Sequence, residues 1–343
     1  MIPKIRAASL MHFAQVCQNL GFQPDPILAR VGFDCAMLQK AELLLPALQA
    51  VQLLEYAAKI TRCPSFGLRL AEQRRLSGFG LVGLLLAHQV TLGDGMQAIS
   101  DYRHLLNDIT VFYTETDQQE YRIKIDVMLN ATCIKTQAVE LFVAIAYRFG
   151  AELIEQQWRP TSVHFTHSEP ADISYHQRFF QCPVYFNSDF NGIVCPESAR
   201  LLKNRKADAM LVAHAKQLLE PLAQPRQRSL TDEIKQLFFI QLPAGRHHID
   251  WIARYLSIKP RTLQRKLTEL NISYQALLNE VRREQCIHYL QNQEYPVQRI
   301  ANLLGYYNAN SFTRWFSAEF GMTPSQYRQG LSVHATDHLN DAV

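Results

Sequence analysis

Residues 249–328 read IDWIARYLSIKPRTLQRKLTELNISYQALLNEVRREQCIHYLQNQEYPVQRIANLLGYYNANSFTRWFSAEFGMTPSQYR and contain one helical arrangement twice. In the first copy, apolar residues recur at helical spacing on both sides of a short turn, Ser257–Lys259. Pro260 follows the turn, where a first helical residue tolerates the loss of its N–H. The predicted apolar stripes of the two helices are Ile249, Ile252, Ala253 and Leu256, then Leu263, Leu267 and Leu270.

The second copy repeats this scheme. Gly305-Tyr306 is predicted to form the corner, and the second helix is predicted from Ser311 to Phe320. The predicted apolar positions are Val297, Ile300, Ala301 and Leu304 before the corner, and Phe312, Phe316 and Phe320 after it. Two helix-turn-helix units in tandem are typical of proteins that read DNA.

One long helix is predicted between the two copies, capped by Ser273 and ending near Gln291. At 1.5 Å per residue it would be roughly 27 Å long. Two reading helices on one face of a duplex enter successive major grooves when they lie about 34 Å apart. A rigid helix of this length, with its flanking turns, is a suitable spacer.

The C-terminal stretch of about 100 residues resembles the AraC/XylS transcription regulators. Arg299 and Tyr307 depart from the family pattern. The resemblance rests on Ile300-Ala301, Leu304-Gly305-Tyr306, Ser311-Phe312, Arg314, Phe316, Phe320-Gly321, Pro324 and Tyr327-Arg328, and upstream on Ala253, Leu256, Pro260–Leu263, Arg265 and Glu280–Arg282. It implies double-stranded promoter DNA and RNA polymerase as partners.

The resemblance also implies which side chains read DNA. They are Arg261, Thr262, Gln264 and Arg265 in the first unit, and Asn310, Thr313 and Arg314 in the second. Arginine pairs with guanine and glutamine with adenine in the major groove, so these residue types suit the task. The alternative is an ordinary solvated helix face. Base stacking by Phe312, Trp315 and Phe316 is a further alternative, but the spacing of the two phenylalanines favours core packing.

Length and charge predict two domains and a tail. The 343 residues suffice for two domains of ordinary size. Residues 226–330 hold 14 Lys and Arg against 8 Asp and Glu, whereas residues 1–225 hold 21 of each. A basic excess confined to one domain is typical of a phosphate-binding surface. We therefore predict two domains, at 1–225 and 226–330, and a tail at 331–343. The resemblance implies that the first domain senses an effector or dimerises and that the second binds DNA.

The first domain is predicted to be α+β, and the second all-α, with two helix-turn-helix units joined by a long helix. Residues 8–107 have helical periodicity, and then Thr110–Thr114 and Tyr121–Val127 alternate around Asp117–Gln119 as a hairpin. Further helices are predicted at Thr136–Gln156, Tyr175–Phe180 and Ala207–Leu222, and strands at Ser162–Thr166, Val184–Phe186 and Gly192–Cys195.

The first domain resembles the arabinose-binding-type effector domain of one AraC-family branch. The motifs are Thr91–Asp94, the end of the Tyr102–Asn107 helix, and Phe179–Asn187. They imply a domain that senses a small-molecule effector of unknown identity or that dimerises. We separately predict the dimer contact at the Ala207–Leu222 helix. The alternative is a ligand-independent protein-interaction module.

Other classes of protein are disfavoured. The N-terminus lacks the apolar core of a signal peptide, and Phe79–Ala87 is too short to span a membrane. Seven cysteines without a CxxC pair predict reduced thiols in a cytoplasmic protein, although Cys182 and Cys195 could pair as a redox couple. His164 with His167, and His247-His248, lack further ligands for a metal. No phosphate loop, G-x-S-x-G or H-E-x-x-H motif occurs, so we expect neither an enzyme nor a cofactor.

Overall fold

The computed structural model describes residues 3–117, 119–129, 133–222, 229–256 and 258–329. The chain divides into two compact units, residues 1–129 with 133–226, and residues 227–343 with 130–132. The predicted tail at 331–343, Gln118 in the predicted hairpin turn, Ser257 in the first helix-turn-helix corner and the predicted domain boundary at 225–226 lie outside the described residues.

The first unit is mainly helical before residue 107. Its α7 begins with a capping box, because Oγ1 of Thr91 accepts from the amide of Asp94 at 3.1 Å and Oδ2 of Asp94 accepts from the amide of Thr91 at 3.1 Å. The helices are α1 (Phe13–Asn19), α2 (Pro24–Ala29), α3 (Cys35–Gln39), α4 (Ala47–Ile60), α5 (Phe66–Glu72), α6 (Gly80–Ala87), α7 (Leu92–Tyr102), α8 (Thr136–Ile154), α9 (Ser174–Phe180) and α10 (Ala209–Leu219).

A two-stranded and a five-stranded sheet accompany these helices. The smaller sheet consists of β1 (Lys4–Arg6) and β2 (Leu44–Pro46). The strands of the larger sheet are β3 (Thr110–Thr116), β4 (Glu120–Val127), β5 (Ser162–His164), β6 (Val184–Tyr185) and β7 (Gly192–Pro196). The larger sheet has the order β3-β4-β7-β5-β6, and its pairs are antiparallel except for β5 with β6. Every second residue of β4 is buried, and α8 packs against both β4 and α5. The α+β prediction for this unit is confirmed.

The structure corrects several sequence predictions in this unit. Residues 8–107 are not wholly helical, because β2 lies among the helices and pairs with β1. α10 begins at Ala209 rather than Ala207, since the side chain of Asp208 accepts from the amides of Met210 and Leu211 and caps the helix there. β5 ends at His164, so His167 is not part of that strand.

The histidines and cysteines of the first unit form neither a metal cluster nor a disulfide in the described part of the chain. His164 contacts the hydroxyls of Ser162 and Ser188 at 2.9 and 3.0 Å. Nε2 of His176 lies 2.9 Å from the buried carboxylate of Glu140, which also lies 3.3 Å from Nε2 of His167. Cys182 and Cys195 are both free thiols. Among the described residues, no helix has the length and apolarity to cross a bilayer.

The second unit consists of helices and turns over residues 229–256 and 258–329. Oγ of Ser229 accepts from the amide of Asp232 at 3.2 Å and caps α11. The helices are α11 (Leu230–Gln241), α12 (Ile249–Tyr255), α13 (Pro260–Glu269), α14 (Tyr274–Gln291), α15 (Val297–Leu303) and α16 (Ala309–Phe320). The prediction of two helix-turn-helix units joined by a long helix is confirmed, with α14 as the joining helix.

Two details of these units differ from the prediction. Leu270 is 50% exposed instead of buried, because α13 ends at Glu269 and Leu270 occupies its C-cap. α16 begins at Ala309 instead of Ser311, because Oδ1 of Asn308 accepts from the amide of Ser311 at 2.9 Å and caps the helix. Phe312 and Phe316 are fully buried as expected, whereas Phe320 is only half-buried.

Candidate nucleic-acid interface

The outer face of α13 is polar and carries much positive charge. Leu263 and Leu267 anchor its inner face in the core. Of the predicted reading residues, Arg261, Gln264 and Arg265 are exposed, while Thr262 is half-buried. Lys259 and Lys266 are exposed beside them. The helix thus presents cations for phosphates and planar donors for base edges.

Arg265 has a single acidic neighbour on this face. Its Nε lies 3.6 Å from Oε1 of Glu269, one helical turn away, and the two side chains are 71% and 65% exposed. An exposed pair of this kind contributes little to stability, typically about 0–1 kcal/mol. The guanidinium is therefore available to exchange this contact for a base or a phosphate.

α16 presents the corresponding face of the second helix-turn-helix. Asn310 and Arg314 are exposed, and Thr313 is half-buried. Oε1 of Gln298, on α15, accepts from the amide of Ala309 at 3.2 Å and holds the start of α16 against α15. The predicted residues thus form two sets, each on one helix, with the threonines at the border between exposed face and core.

Tyr307 belongs with this surface, although the sequence analysis noted it only as a departure from the family pattern. Its side chain is 97% exposed in the turn immediately before α16. A tyrosine hydroxyl in this position can donate to a phosphate oxygen, and its ring can lie against sugar or base. The sequence signal for Tyr307 is a large aromatic residue in a tight turn, a position where the side chain cannot pack into the core.

Trp315 and the phenylalanines of α16 are not a base-stacking surface. The ring centroid of Trp315 lies 5.7 Å from that of Tyr306 and 6.2 Å from that of Phe312. The rings of Phe316 and Phe320 are stacked at 4.3 Å. The interpretation of these aromatic residues as core packing is confirmed.

α14 contacts both helix-turn-helix motifs. Arg282 is only 6% exposed, and its Nε donates to the carbonyl oxygen of Leu304 at 3.0 Å. The same guanidinium lies over the ring of Tyr306, 4.2 Å from the centroid. Toward the first helix-turn-helix, the hydroxyl of Tyr274 donates to the carbonyl oxygen of His247 at 3.0 Å.

A second contact from α14 reaches α16 itself. Nη2 of Arg283 lies 2.7 Å from Oε2 of Glu319. Together with the Arg282 contacts, this ion pair attaches the corner and α16 of the second helix-turn-helix to α14. α14 therefore holds the second helix-turn-helix through Arg282 and Arg283, and it holds the residue before His248 and α12 through Tyr274.

His247 is electrically neutral at physiological pH. Burial lowers its pKa to about 4, and the neighbouring Arg282 and His248 add to this effect. Gly305 lies beside it with a φ of +72°, and a Cβ at this glycine would lie 3.0 Å from Nδ1 of His247. The corner of the second helix-turn-helix consequently requires glycine for both its backbone conformation and its packing.

Comparison with known proteins agrees with this arrangement. A family model described as the arabinose-binding domain of AraC transcription regulator, N-term, matches residues 21–204, and a helix-turn-helix domain model matches residues 252–330. The HTH-type transcriptional regulator VirS of Mycobacterium tuberculosis is 29% identical over 327 residues, which cover 94% of this chain and 96% of VirS.

Two further relatives share these features over less of the chain. The ornithine utilization regulator of Pseudomonas aeruginosa is 24% identical over 270 residues, 78% of this chain and 79% of that protein. The urease operon transcriptional activator of Escherichia coli is 31% identical over 105 residues, 31% of this chain and 34% of that protein. The matched proteins are transcription regulators and not enzymes.

Proposed function

The chain belongs to the AraC family of transcription regulators, which bind DNA. We propose that it reads promoter sequence with the exposed faces of α13 and α16. The observation that carries this proposal is the pair of polar helix faces, each backed by buried apolar side chains, with α16 attached to α14 by the ion pair of Arg283 and Glu319. The proposed DNA-contacting residues are Arg261, Thr262, Gln264, Arg265, Asn310, Thr313 and Arg314.

Within this set the residues have different tasks. Arg261, Gln264, Arg265 and Arg314 have the planar donors that discriminate bases in the major groove. Thr262 and Thr313, which are half-buried, contribute at the edges of the helix faces. Lys259 and Lys266 bind phosphates and fix the register without reading sequence. In this proposal residues 226–330 are the DNA-binding domain, and the protein acts in the cytoplasm, where bacterial promoters lie.

The first 225 residues regulate this activity, by sensing a small molecule, by dimerising, or by both. The dimerisation proposal is supported by α10. This helix buries Ala215 and Leu219 but exposes Met210 and Leu218. Large apolar side chains that stay exposed on one helix are typical of a self-association surface. A ligand-independent interaction domain would use the same surface.

Activation through contact with RNA polymerase is the proposed outcome of binding. It is supported by the family and by the likeness to the urease operon transcriptional activator over 105 residues. The promoter DNA and the polymerase are therefore the proposed macromolecular partners, alongside a second copy of the chain.

The test is a fluorescence anisotropy titration of the full-length protein with its own upstream DNA and with a scrambled duplex of equal length. Salt must be varied, because phosphate contacts make affinity fall steeply with ionic strength. We expect the upstream duplex to be preferred across the salt series. Equal affinity for both duplexes, with the same salt dependence, would contradict sequence reading at this promoter.

A further inference from the structure

An open cleft of about 770 Å³ lies in the first unit beside α5, α8 and α9. Pockets that bind small organic ligands commonly have volumes of about 300–1,000 Å³, so this cleft has room for a ligand of nucleotide size. A smaller cavity of the same unit, among β3, β4, α7 and α8, has a volume of only about 70 Å³ and is too small for such a ligand.

Four arginines line the cleft, and none of them forms an ion pair within the described part of the chain. They are Arg75 after α5, Arg148 on α8, Arg159 after α8 and Arg178 on α9. Nε of Arg148 donates to the carbonyl oxygen of Arg74 at 3.1 Å, and Nη1 of Arg159 donates to the carbonyl oxygen of Trp158 at 2.7 Å. Each contact uses one N–H of a guanidinium that has several, so both side chains retain donors for a ligand.

The three carboxylates that line the cleft each have another partner. Glu72 accepts from the hydroxyl of Tyr175, and Oε2 of Glu152 accepts from a main-chain amide at 3.2 Å. Oε1 of Glu155 lies 2.9 Å from Nζ of Lys206, which adds a further cation at the edge of the cleft. Cations therefore exceed carboxylates here, and a ligand with several negative charges is favoured over a neutral or cationic one.

Aromatic side chains form another part of the wall. The rings of Tyr147 and Phe179 are half-buried, and their centroids lie 6.0 Å apart. Trp158 is 4% exposed and packs edge-on against Tyr147 at 5.7 Å, which supports that ring from behind. The guanidinium of Arg178 lies 4.7 Å from the ring centroid of Tyr175. Aromatic rings and guanidinium planes are the groups on which nucleic-acid bases stack.

We propose that this cleft is the ligand site of the first unit and that it binds a nucleoside polyphosphate. The phosphates pair with Arg75, Arg159 and Arg178, because the planar fork of donors on arginine matches phosphate oxygens. The base lies against Tyr147 and Phe179. An inorganic polyphosphate would contact only the cations and a nucleoside only the rings, so the complete nucleotide binds most tightly. The proposal rests on the proposed sensing role of the first unit and names its ligand class.

The experiment compares matched ligands on the full-length protein without DNA. ATP, GTP, CTP and UTP are the nucleotides, the four nucleosides lack the phosphates, and tripolyphosphate lacks the base. Calorimetric titration measures affinity at one fixed ionic strength, because salt screens contacts to exposed arginines. We expect at least one nucleotide to bind about tenfold or more tightly than both its nucleoside and tripolyphosphate. Binding of no nucleotide, or equally tight binding of tripolyphosphate, would overturn the proposal.

Variants of the cleft locate the site. Arg75→Gln and Arg178→Gln each remove an exposed cation and are expected to fold and to weaken nucleotide binding about tenfold. Arg30→Gln is the matched control, since Arg30 is an exposed arginine of the same unit that does not line the cleft. Phe179→Leu keeps an apolar side chain without the flat ring, so it should weaken nucleotide binding and leave tripolyphosphate affinity unchanged. Unchanged nucleotide affinity in both arginine variants, or an equal loss in Arg30→Gln, would overturn the assignment of the site.

A polyanion also binds a basic DNA-contacting surface, and Arg265→Ala separates the two sites. This variant should keep its nucleotide affinity and lose DNA affinity, whereas Arg178→Gln should do the reverse. Loss of nucleotide binding in Arg265→Ala but not in Arg178→Gln would place the nucleotide on α13 and overturn the proposal. Failure of all nucleotides with intact DNA preference would refute the ligand site alone, and nucleotide binding without DNA binding would refute the DNA interface alone.

Discussion

Nε of Arg282, in the middle of the joining helix α14, donates a 3.0 Å hydrogen bond to the carbonyl oxygen of Leu304, at the end of α15. That carbonyl lies at a helix C-terminus, where a positive charge is favourable. Because the guanidinium also covers Tyr306, one buried cation ties the spacer helix to the corner that precedes the second reading helix. The contact explains how two small units maintain one geometry for DNA.

Replacing Arg282 with methionine should therefore destabilise the DNA-binding unit. The change leaves the carbonyl of Leu304 without its donor and removes the cation–π contact, for a loss of about 2–4 kcal/mol. Urea unfolding of the full-length protein, followed by tryptophan fluorescence, measures it. Arg283→Met is the control, since Arg283 is exposed and its ion pair contributes no more than about 1 kcal/mol. Equal losses in the two variants would show that the buried contacts of Arg282 contribute nothing special.

His247 should make the DNA-binding unit sensitive to acid. Its pKa is about 4 in the folded protein against an ordinary value of 6.5, so the unfolded chain binds more protons between these values. Stability is thus fully present above pH 6.5 and falls as the pH drops toward 4, by about 2 kcal/mol after allowance for partial exposure. Unfolding free energies of wild type and His247→Gln across this range test it. The variant should have the flatter profile, and parallel profiles would exclude His247 as the cause.

Tyr307 should contribute to DNA affinity without contributing to stability. Since its side chain is almost fully exposed, Tyr307→Ala is expected to leave the unfolding temperature unchanged. Loss of a hydroxyl contact to phosphate should weaken binding by about 1 kcal/mol. Tyr307→Phe separates the hydroxyl from the ring in the same anisotropy titration. If neither variant weakens binding, the exposed ring lies away from the DNA.

Leu218 should be part of the dimer contact. Leu218→Glu places a carboxylate at this exposed position of α10, and association would strip water from its charge at a cost in free energy. The variant should therefore shift toward monomer in sedimentation velocity. Ile134→Glu introduces the same charge at another exposed apolar residue and should leave the distribution unchanged. A wild-type protein that is monomeric at all concentrations would refute the self-association surface.

The sequence predicted the tandem helix-turn-helix units well because their signals are local. Helical spacing, Pro260 at a helix start and glycine at a corner each act within one or two turns of chain. Errors occurred at the ends, where a cap decides the outcome. Asn308 extended α16 by two residues, and the end of α13 left Leu270 exposed.

The candidate sites divide in the same way. The residues of α13 and α16 were predictable from family position and helical phase. A cavity such as the one between β3, β4, α7 and α8 was not, because the residues that line it come from distant parts of the chain and meet only in the folded domain. The buried role of Arg282 was also invisible, since its acceptor is a main-chain oxygen 22 residues away. β1 and β2 are three residues each, too short for an alternating pattern to show.

If α13 and α16 each read part of one DNA site, wild type, Arg265→Ala and Arg314→Ala will select different duplexes from a random pool. The selection is made at one fixed salt concentration. We expect wild type to select two blocks of specified bases, about one helical turn of roughly 10 bp apart.

Each variant should lose base preference in a different block, and Arg265→Ala should bind the wild-type duplex more weakly by about 1–3 kcal/mol. The account would be contradicted if both variants selected the unaltered two-block sequence and lost the same affinity for every duplex. That result would mean that both arginines contact only phosphates, and that sequence is read elsewhere.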